Sequence, residues 1–341
     1  MNMKLKNFLN RYDTIIFDMD GVITNEQNYW NAAALTVWEY LKWNRHEEID
    51  TADCMKHCAE IRKKVFCNDE LIGVLKGKGV NSNWDLGYVT ICIAWICGIK
   101  DDFTPALEYA KNMSDNILDE YDVLAQNCSE KTGFNYDWLK RNNLMWKTVH
   151  YIFQAWFLGD DLYRKQYGSN PLNGGKTGLL HNEEPIIPID SLRGILRSLS
   201  LEKRVCMGTG RPETEIMIPL EQWDVKKYFA SDGLINYNHV EKAQNALNNN
   251  SLAKPHPYMF LKALFGENYP DEDIIKSIYD KEKIKNTLIV GDAGADILAA
   301  QAMGADFCAV LTGIQGEKAR GYFKDMNATY IMNSIEDFIE E

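Results

Sequence analysis

A short apolar run near the start of the chain ends in two aspartates, Asp18 and Asp20, which a single residue separates. The run, Thr14-Ile15-Ile16, is rich in β-branched residues and predicts a buried strand. Gly21 follows at once and allows a sharp turn. Ligands of open parallel sheets bind outside the carboxyl ends of the strands, and unpaired carboxylates are costly to bury. The pair therefore predicts a ligand site that holds a divalent cation, with a solvated acidic turn as the alternative.

The other strands that such a sheet needs are found in the C-terminal half of the chain. From Ile186 onward, short apolar runs alternate with helical patterns, which is typical of a doubly wound, Rossmann-like parallel sheet. The N-terminal strand is predicted to join this sheet. Strands are predicted at residues 204–208, 228–230, 287–290 and 307–311, and helices at residues 190–199, 212–222, 258–264 and 297–303.

Between these two parts the sequence changes character. Residues 25–161 show helical spacing and hold eight of the nine tryptophans. These indoles are predicted to fill a helical core, with some of them lining a substrate cleft as the alternative. Thr104 is predicted to cap a helix that starts at Pro105. We therefore predict an α/β core of residues 1–24 and 187–341, and a large α-helical cap domain, residues 25–186, inserted after the first strand.

The bulk composition is that of an ordinary soluble globular protein and narrows the range of partners. The chain has 341 residues, a formal net charge of −12 and 45% hydrophobic residues. Its acidic balance argues against a nucleic-acid-binding surface, which is basic, but allows a local site for small anions. The longest apolar run, residues 89–99, is too short to span a membrane. Eight cysteines without a Cys-x-x-Cys motif, and an N-terminus without an apolar stretch, predict a cytoplasmic protein with free thiols.

Two further patterns resemble functional motifs but favour a structural explanation. Cys54, His57 and Cys58 lack a second ligand pair at zinc-site spacing, and we expect them on the partly buried face of one helix. Residues 174–178, Gly-Gly-Lys-Thr-Gly, resemble the end of a nucleotide-binding loop, but Asn170 stands where that loop requires glycine. The surrounding segment is predicted to be a mobile connection, from which Lys176 could reach a substrate.

Polar residues are predicted at four strand ends, in the order Asp18 and Asp20, Thr209, Lys254, and Asp292 with Asp296. Taken singly, Thr209 could be a helix N-cap, Lys254 a surface lysine and Asp296 a favourable charge at a helix start. Together, their order and spacing resemble the haloacid dehalogenase-like (HAD) hydrolase superfamily, in particular its members with a helical type 1 cap, such as phosphoglycolate phosphatase and β-phosphoglucomutase. The four motifs read Phe17-Asp18-Met19-Asp20-Gly21-Val22, Gly208-Thr209-Gly210-Arg211-Pro212, Lys254-Pro255-His256-Pro257 and Gly291-Asp292-Ala293-Gly294-Ala295-Asp296.

This resemblance implies the roles of the acidic residues. Asp18 would attack phosphorus and form an aspartyl-phosphate, and Asp20 would act as general acid and then as general base. Mg²⁺ would be held by the Asp18 carboxylate, the main-chain carbonyl of Asp20 and the Asp292 carboxylate. Asp296 would orient a metal-bound water or Lys254 from behind this shell.

The resemblance also implies how the phosphoryl group is held. The Thr209 hydroxyl and the Gly210 N–H would bind phosphoryl oxygens, and Lys254 would balance the negative charge. Arg211 is expected either to touch the substrate or to lie at the surface, and His256 is expected to be part of its loop. The helical insertion is expected to move on the core through residues 22–25 and 185–190.

Asp20 narrows the reaction class. Dehalogenases and phosphonate-cleaving members of the superfamily lack an acid at this position, so the resemblance favours oxygen-linked leaving groups. Hydrolysis of a small phosphorylated metabolite, a phosphomonoester, is the first hypothesis. A sugar phosphomutase of the β-phosphoglucomutase type is the second, because the Asp-Gly-Val-Ile-Thr sequence of residues 20–24 also fits that group. A non-catalytic protein that binds a phosphorylated ligand is the third.

Overall fold

The computed structural model describes residues 3–80, 82–248 and 251–340. These residues form a six-stranded, entirely parallel sheet with the strand order β3-β2-β1-β4-β5-β6. The predicted α/β fold is thus confirmed. The strands are β1 (Thr14–Phe17), β2 (Arg204–Gly208), β3 (Leu234–Ile235), β4 (Thr287–Gly291), β5 (Asp306–Val310) and β6 (Tyr330–Met332).

The strand order places the N-terminal strand at the centre of the sheet. Ile16 of β1 pairs with Cys206 of β2 on one side and with Ile289 of β4 on the other. The chain adds β2 and β3 on one side of β1, and then β4, β5 and β6 on the other. The order therefore reverses between β1 and β4, and ligands of doubly wound sheets bind at such a switch point.

Side chains from the two faces of the sheet enter two separate hydrophobic cores. Ile15 and Phe17 of β1 belong to one core, and Ile16 between them belongs to the other, as the period of two residues in a strand requires. Both faces of β1 are fully buried, which explains its unbroken apolar run. Helices cover the two faces and complete a three-layer core.

The chain forms two compact units. The first unit contains Met1–Glu26 and Glu183–Glu341, and the second contains Gln27–Asn182. The helices of the second unit are α1 (Gln27–Asn44), α2 (Thr51–Lys56), α3 (Cys58–Val65), α4 (Glu70–Gly77), α5 (Asn83–Cys97), α6 (Thr104–Lys111), α7 (Tyr121–Thr132), α8 (Tyr136–Leu139), α9 (Leu144–Leu158) and α10 (Asp160–Tyr167). Those of the first unit are α11 (Ile189–Glu202), α12 (Glu213–Gln222), α13 (Tyr237–Leu247), α14 (Tyr258–Phe265), α15 (Asp271–Ile275), α16 (Lys281–Lys285), α17 (Gly294–Met303) and α18 (Ala319–Asp325).

The predicted strands differ from the structure in three ways: residues 228–230 are not a strand, and neither β3 nor β6 was predicted. Residues 228–230 do not form a strand: the Ala230 N–H reaches the Val205 carbonyl at 2.8 Å, and a turn closed by the Gly233 N–H follows before β3 begins. Phe229 is buried by side-chain packing alone, which makes this run look like a strand. Strand β6 was not predicted, because it lies at the sheet edge and all its residues are only half-buried.

The second unit is a helical assembly built around α1, which packs against α3, α5 and α9. Trp156 is fully buried, whereas Trp43 and Trp138 are 43% and 57% exposed, so the tryptophans do not share one environment. Thr104 is the first residue of α6 and not its cap; instead its N–H donates to Asp102 Oδ1 at 2.9 Å. No helix among the described residues combines the length and the apolar character that a membrane span requires.

Two expectations for the second unit were wrong. Cys54 and Cys58 lie on two helices, α2 and α3, because the backbone leaves the helical conformation at His57. Lys176 is buried: its Nζ lies 3.2 Å from the Glu39 carboxylate, and neither side chain is exposed. Its ammonium group is therefore paired inside the second unit and is not presented to a substrate.

Candidate active site

The centre of the candidate site is Asp18, the first residue after the central strand β1. Its main-chain N–H donates to the carbonyl of Val290 on β4, so the sheet fixes its backbone. Its side chain is almost entirely buried, and one carboxylate oxygen accepts a hydrogen bond from Lys254 Nζ at 2.8 Å. Burial raises the pKa of Asp18 to about 7, although the positive charge of Lys254 opposes this shift.

Lys254 lies between α13 and α14 and not at the end of a strand as predicted, and it connects two of the acidic residues. Its Nζ lies 2.8 Å from Asp18 Oδ1 and 2.8 Å from Asp296 Oδ1. The side chain runs past the ring of Phe260, whose centroid is 4.7 Å from the ammonium nitrogen. Burial alone would lower the pKa of this ammonium, but the charges of Asp18 and Asp296 outweigh burial and raise it. Lys254 is therefore a fixed positive charge beside the Asp18 carboxylate.

Asp292 follows β4, and the backbone of two glycines lies close to its carboxylate. A Cβ atom on Gly21 would lie 2.3 Å from Asp292 Oδ2, and one on Gly313 would lie 1.9 Å from the same atom. Gly21 also has a φ of +68°, a conformation that favours glycine. The Thr312 hydroxyl donates to the Gly21 carbonyl and ties these two loops together. The close approach of backbone to carboxylate explains why both positions are glycine.

Asp296 lies in the first turn of α17 and is buried, with 1% of its surface exposed. One of its carboxylate oxygens accepts from Lys254, and the other accepts from the Ala293 N–H at 3.2 Å. Both oxygens therefore have a partner within the protein. Asp296 is placed to orient Lys254 and the loop after β4.

Thr209 and Gly210 follow β2, the neighbour of β1 in the sheet. Thr209 is fully buried, and its Oγ1 accepts a hydrogen bond from the Arg211 N–H at 3.2 Å. Its own N–H donates to the Ile235 carbonyl at 3.0 Å, which fixes the turn. Gly210 is exposed, and no atom lies within 4 Å of the position that a Cβ would occupy. The space beside the Gly210 backbone is therefore open to a ligand.

Asp20 is held by Arg211, a residue for which the sequence left two roles open. Arg211 Nε lies 3.0 and 3.2 Å from the two Asp20 oxygens, and its Nη2 lies 2.6 Å from Oδ1. The Arg211 side chain is 1% exposed, so the expected surface position was wrong. Its Nη1 donates to Glu183 Oε2 at 2.8 Å, and Nη2 also donates to Thr24 Oγ1 at 3.0 Å. Neither Glu183 nor this role of Arg211 was predicted.

Comparisons with known proteins agree with this geometry. Residues 251–338, which contain Lys254, Asp292 and Asp296, match a family described as HAD-hydrolase-like. The resemblance to the haloacid dehalogenase-like superfamily is thus confirmed by this match over residues 251–338. A crystal structure from a structural genomics programme is 26% identical to this chain and covers 95% of this chain and 97% of its own, with a TM-score of 0.77. A phosphatase from Thermococcus thioreducens shares the fold, at 18% identity, 86% and 90% coverage and a TM-score of 0.50. No curated protein sequence matches.

The acidic residues of this site fit a divalent cation. Carboxylate oxygens of Asp18, Asp292 and Asp296 lie within 4.8 Å of one another. Oxygen donors of this kind suit Mg²⁺, a hard ion that is usually bound by one or two carboxylates and several waters. Because both oxygens of Asp296 already have partners, Asp18 and Asp292 are the side chains that could contact the ion directly. No His or Cys joins this group among the residues described.

The two residues that were missed at this site, Glu183 and Arg211, are brought to it by contacts that only the fold creates. Arg211 and Asp20 are 191 residues apart in the chain, and Glu183 and Arg211 are 28 residues apart. Arg211 stood inside a recognised motif, and its position two residues after Thr209 was a usable signal. Glu183 stood in a predicted loop, and no local pattern pointed to it.

Proposed function

We propose that this protein is a Mg²⁺-dependent phosphatase that hydrolyses a small phosphomonoester through an aspartyl-phosphate on Asp18. The observation that supports this most directly is the pairing of a buried carboxylate, Asp18, with a buried ammonium, Lys254, at the switch point of the sheet. The cost of removing two charges from water can exceed the energy that their pairing returns, so a function is expected to maintain such a buried pair.

In the first step, an Asp18 oxygen attacks phosphorus, and the bond between phosphorus and the leaving oxygen breaks. The electron pair of that bond goes to the leaving oxygen, which takes a proton from Asp20 and departs as an alcohol. Thr209 and the Gly210 N–H bind the phosphoryl oxygens, and Lys254 offsets their charge. Because these donors are fixed before the substrate arrives, little reorganisation is needed as the reaction proceeds.

In the second step, water attacks phosphorus and gives its proton to Asp20. The bond between phosphorus and the Asp18 oxygen breaks, inorganic phosphate forms, and the Asp18 carboxylate is restored. Asp20 thus ends protonated, as it began. One residue serves as acid and then as base because the proton it loses in the first step returns in the second.

The cation would be held by Asp18, Asp292 and, as the family resemblance implies, the Asp20 carbonyl. When bound, it neutralises charge on the transferring phosphoryl group and on the nucleophile. It would also favour the ionised form of Asp18, whose pKa burial raises to about 7. Asp296 keeps Lys254 in place from the outside of this arrangement.

The experiment that tests this proposal is a panel of phosphorylated metabolites with the purified full chain in the presence of Mg²⁺. The expected result is release of inorganic phosphate from at least one phosphomonoester, with loss of activity in EDTA and recovery on adding Mg²⁺. Interconversion of sugar phosphate isomers without phosphate release would instead identify a phosphomutase. A rise in melting temperature with a phosphorylated ligand, but no turnover, would identify a binding protein.

A further inference from the structure

Hydrogen bonds connect three charged side chains in a row: Glu183, Arg211 and Asp20. Arg211 Nη1 donates to Glu183 Oε2 at 2.8 Å, and Arg211 Nη2 donates to Asp20 Oδ1 at 2.6 Å. The side chain of Glu183 is fully buried and that of Arg211 is 1% exposed, whereas that of Asp20 is 28% exposed. The row therefore starts in the protein interior and ends at a partly accessible carboxylate.

The guanidinium of Arg211 is committed on every side. Nε contacts Asp20, Nη1 contacts Glu183 and the Glu215 carbonyl, and Nη2 contacts Asp20 and Thr24 Oγ1. Because each nitrogen already has a protein acceptor, the group cannot turn toward a substrate without breaking buried hydrogen bonds. Its planar fork fixes the orientation of the Asp20 carboxylate in two directions. Arg211 is thus built as a support for Asp20 and not as a substrate-binding residue.

Glu183 is the residue that fixes this support. It is the first residue of the second chain segment of the first unit, and its Oε1 accepts no hydrogen bond from the described residues. A buried carboxylate is costly unless it is paired, and the cationic partner that this structure gives Glu183 is Arg211. A role that explains this buried carboxylate is to fix the position of the Arg211 guanidinium, on which the orientation of Asp20 depends.

We propose that Glu183 is a positioning residue that holds the acid–base residue Asp20 through Arg211. This inference rests on the proposed phosphatase function, since Asp20 needs accurate placement only if it transfers a proton to a leaving oxygen. Removing the carboxylate of Glu183 leaves Arg211 free to shift toward other acceptors, and Asp20 then loses its fixed orientation. The proton transfer suffers, while binding of the phosphoryl group by Thr209, Gly210 and Lys254 is preserved.

The test compares two substrates with the variant Glu183→Gln, which keeps the size of the side chain. An alkyl phosphate has a strongly basic leaving oxygen and needs the acid, whereas p-nitrophenyl phosphate has a weakly basic one and does not. The parameter kcat/KM reports the step up to release of the alcohol. We expect kcat/KM for the alkyl phosphate to fall by about tenfold or more, within the range of general acid catalysis, and that for p-nitrophenyl phosphate to change by less than about threefold.

A matched control is Asp271→Asn, which removes the carboxylate partner of another largely buried cation, Lys262, 2.5 Å away in the same unit. Both variants lose the carboxylate partner of a buried cation, but Asp271, which is 27% exposed, is not part of the site described above. The control is expected to lower the melting temperature and to leave the ratio of the two kcat/KM values unchanged. Equal losses on both substrates in Glu183→Gln, or no loss on either, would overturn the proposal.

A second measurement separates this inference from the proposed function. A crystal structure of Glu183→Gln is expected to show the Asp20 carboxylate turned away from its present contacts with Arg211; an unchanged Asp20 would overturn the positioning role without any assay. If the wild-type chain releases phosphate from no phosphomonoester of the panel, the proposed function fails, and the crystal structure still tests the support of Asp20. If Glu183→Gln does not fold, Glu183→Asp, which keeps the charge but shortens the reach, is expected to shift the ratio in the same direction.

Discussion

Both units of this protein bury charged side chains, but they balance the charges differently. In the second unit the buried acids are matched one to one: Glu39 with Lys176, and Asp85 with Arg141. The network at the strand ends of the first unit holds five carboxylic acids and two basic side chains. The acids are Asp18, Asp20, Glu183, Asp292 and Asp296, and the bases are Lys254 and Arg211.

The difference indicates what each network is for. In a matched pair the two charges neutralise each other, so no further ion is needed to balance them. An excess of acids in a partly buried site is unfavourable until a cation arrives, and such imbalance is typical of functional sites. The comparison therefore predicts that charge removal affects activity in the first unit and stability in the second.

The largest expected effect is that of Asp18→Asn. Because the amide is a poor nucleophile for phosphorus, we expect phosphate release to fall by roughly 10⁴-fold or more. The fold is expected to persist, since Asn keeps the size of the side chain and removes a carboxyl group that burial disfavours. Phosphate release and thermal unfolding followed by circular dichroism measure the two effects. Activity close to that of the wild type would remove Asp18 from the mechanism.

Asp85→Asn is the corresponding change in the second unit. Asp85 is 2% exposed and accepts from Arg141 at 2.9 and 2.8 Å and from Trp146 Nε1 at 2.8 Å. Breaking a buried pair costs about 3–5 kcal/mol, and the lower end is expected here because the Arg141 side chain can reach solvent. Urea unfolding measures this loss of stability. The control Glu108→Gln, which breaks an exposed pair with Lys111, is expected to cost less than about 1 kcal/mol.

The variant Asp85→Asn also tests whether the buried pairs of the second unit contribute to activity. The kcat of folded Asp85→Asn is expected to match that of the wild type. A kcat that falls as far as in a site variant would show that the matched pairs of the second unit are functional as well.

Binding of Mg²⁺ can be measured without any substrate. A ligand that binds only the folded state at 100 times its Kd adds about 2.7 kcal/mol to the free energy of unfolding. We expect Mg²⁺ to raise the melting temperature of the wild type and of Asp85→Asn, but not that of Asp292→Asn. The same rise in all three proteins would show that the excess of acids in the first unit is not what binds the ion.

The smallest effect concerns His150 in the second unit. Burial lowers its pKa to about 4, and its ring packs against Trp84 and Trp146 with centroids 4.3 and 5.7 Å away. An unfolded histidine has a pKa near 6.5, so between pH 6.5 and 4 the unfolded state binds a proton that the folded state does not. Stability is therefore expected to be complete above pH 6.5 and to fall by at most about 2 kcal/mol at pH 5.

The matched variant for this effect is His150→Phe, which keeps an aromatic ring but cannot bind a proton. Urea unfolding at pH 7 and pH 5 is expected to show a smaller loss of stability in the variant than in the wild type. Equal losses would mean that other groups cause the acid sensitivity of the second unit.

Local chemistry explains why much of the first unit could be predicted. The β-branched run of β1 and the glycines around Asp292 reflect requirements of a buried strand and of a close backbone approach, and both are visible in short segments. The strand at 228–230 was wrong because burial of Phe229 leaves the same apolar trace as strand pairing. Strand β6 was missed for the opposite reason, since an edge strand needs little apolar character.

The sequence by itself determined the fold class, the resemblance to the haloacid dehalogenase-like superfamily and the order of the polar motifs, because each of these depends on residue types within a few positions of one another. Only the tertiary structure decided which charges meet. Arg211 and Asp20 are 191 residues apart, and Lys176 lies in a loop as predicted but is buried against Glu39. A sequence lists the charges of a chain, but the cost of burying each one depends on the partner that folding brings to it.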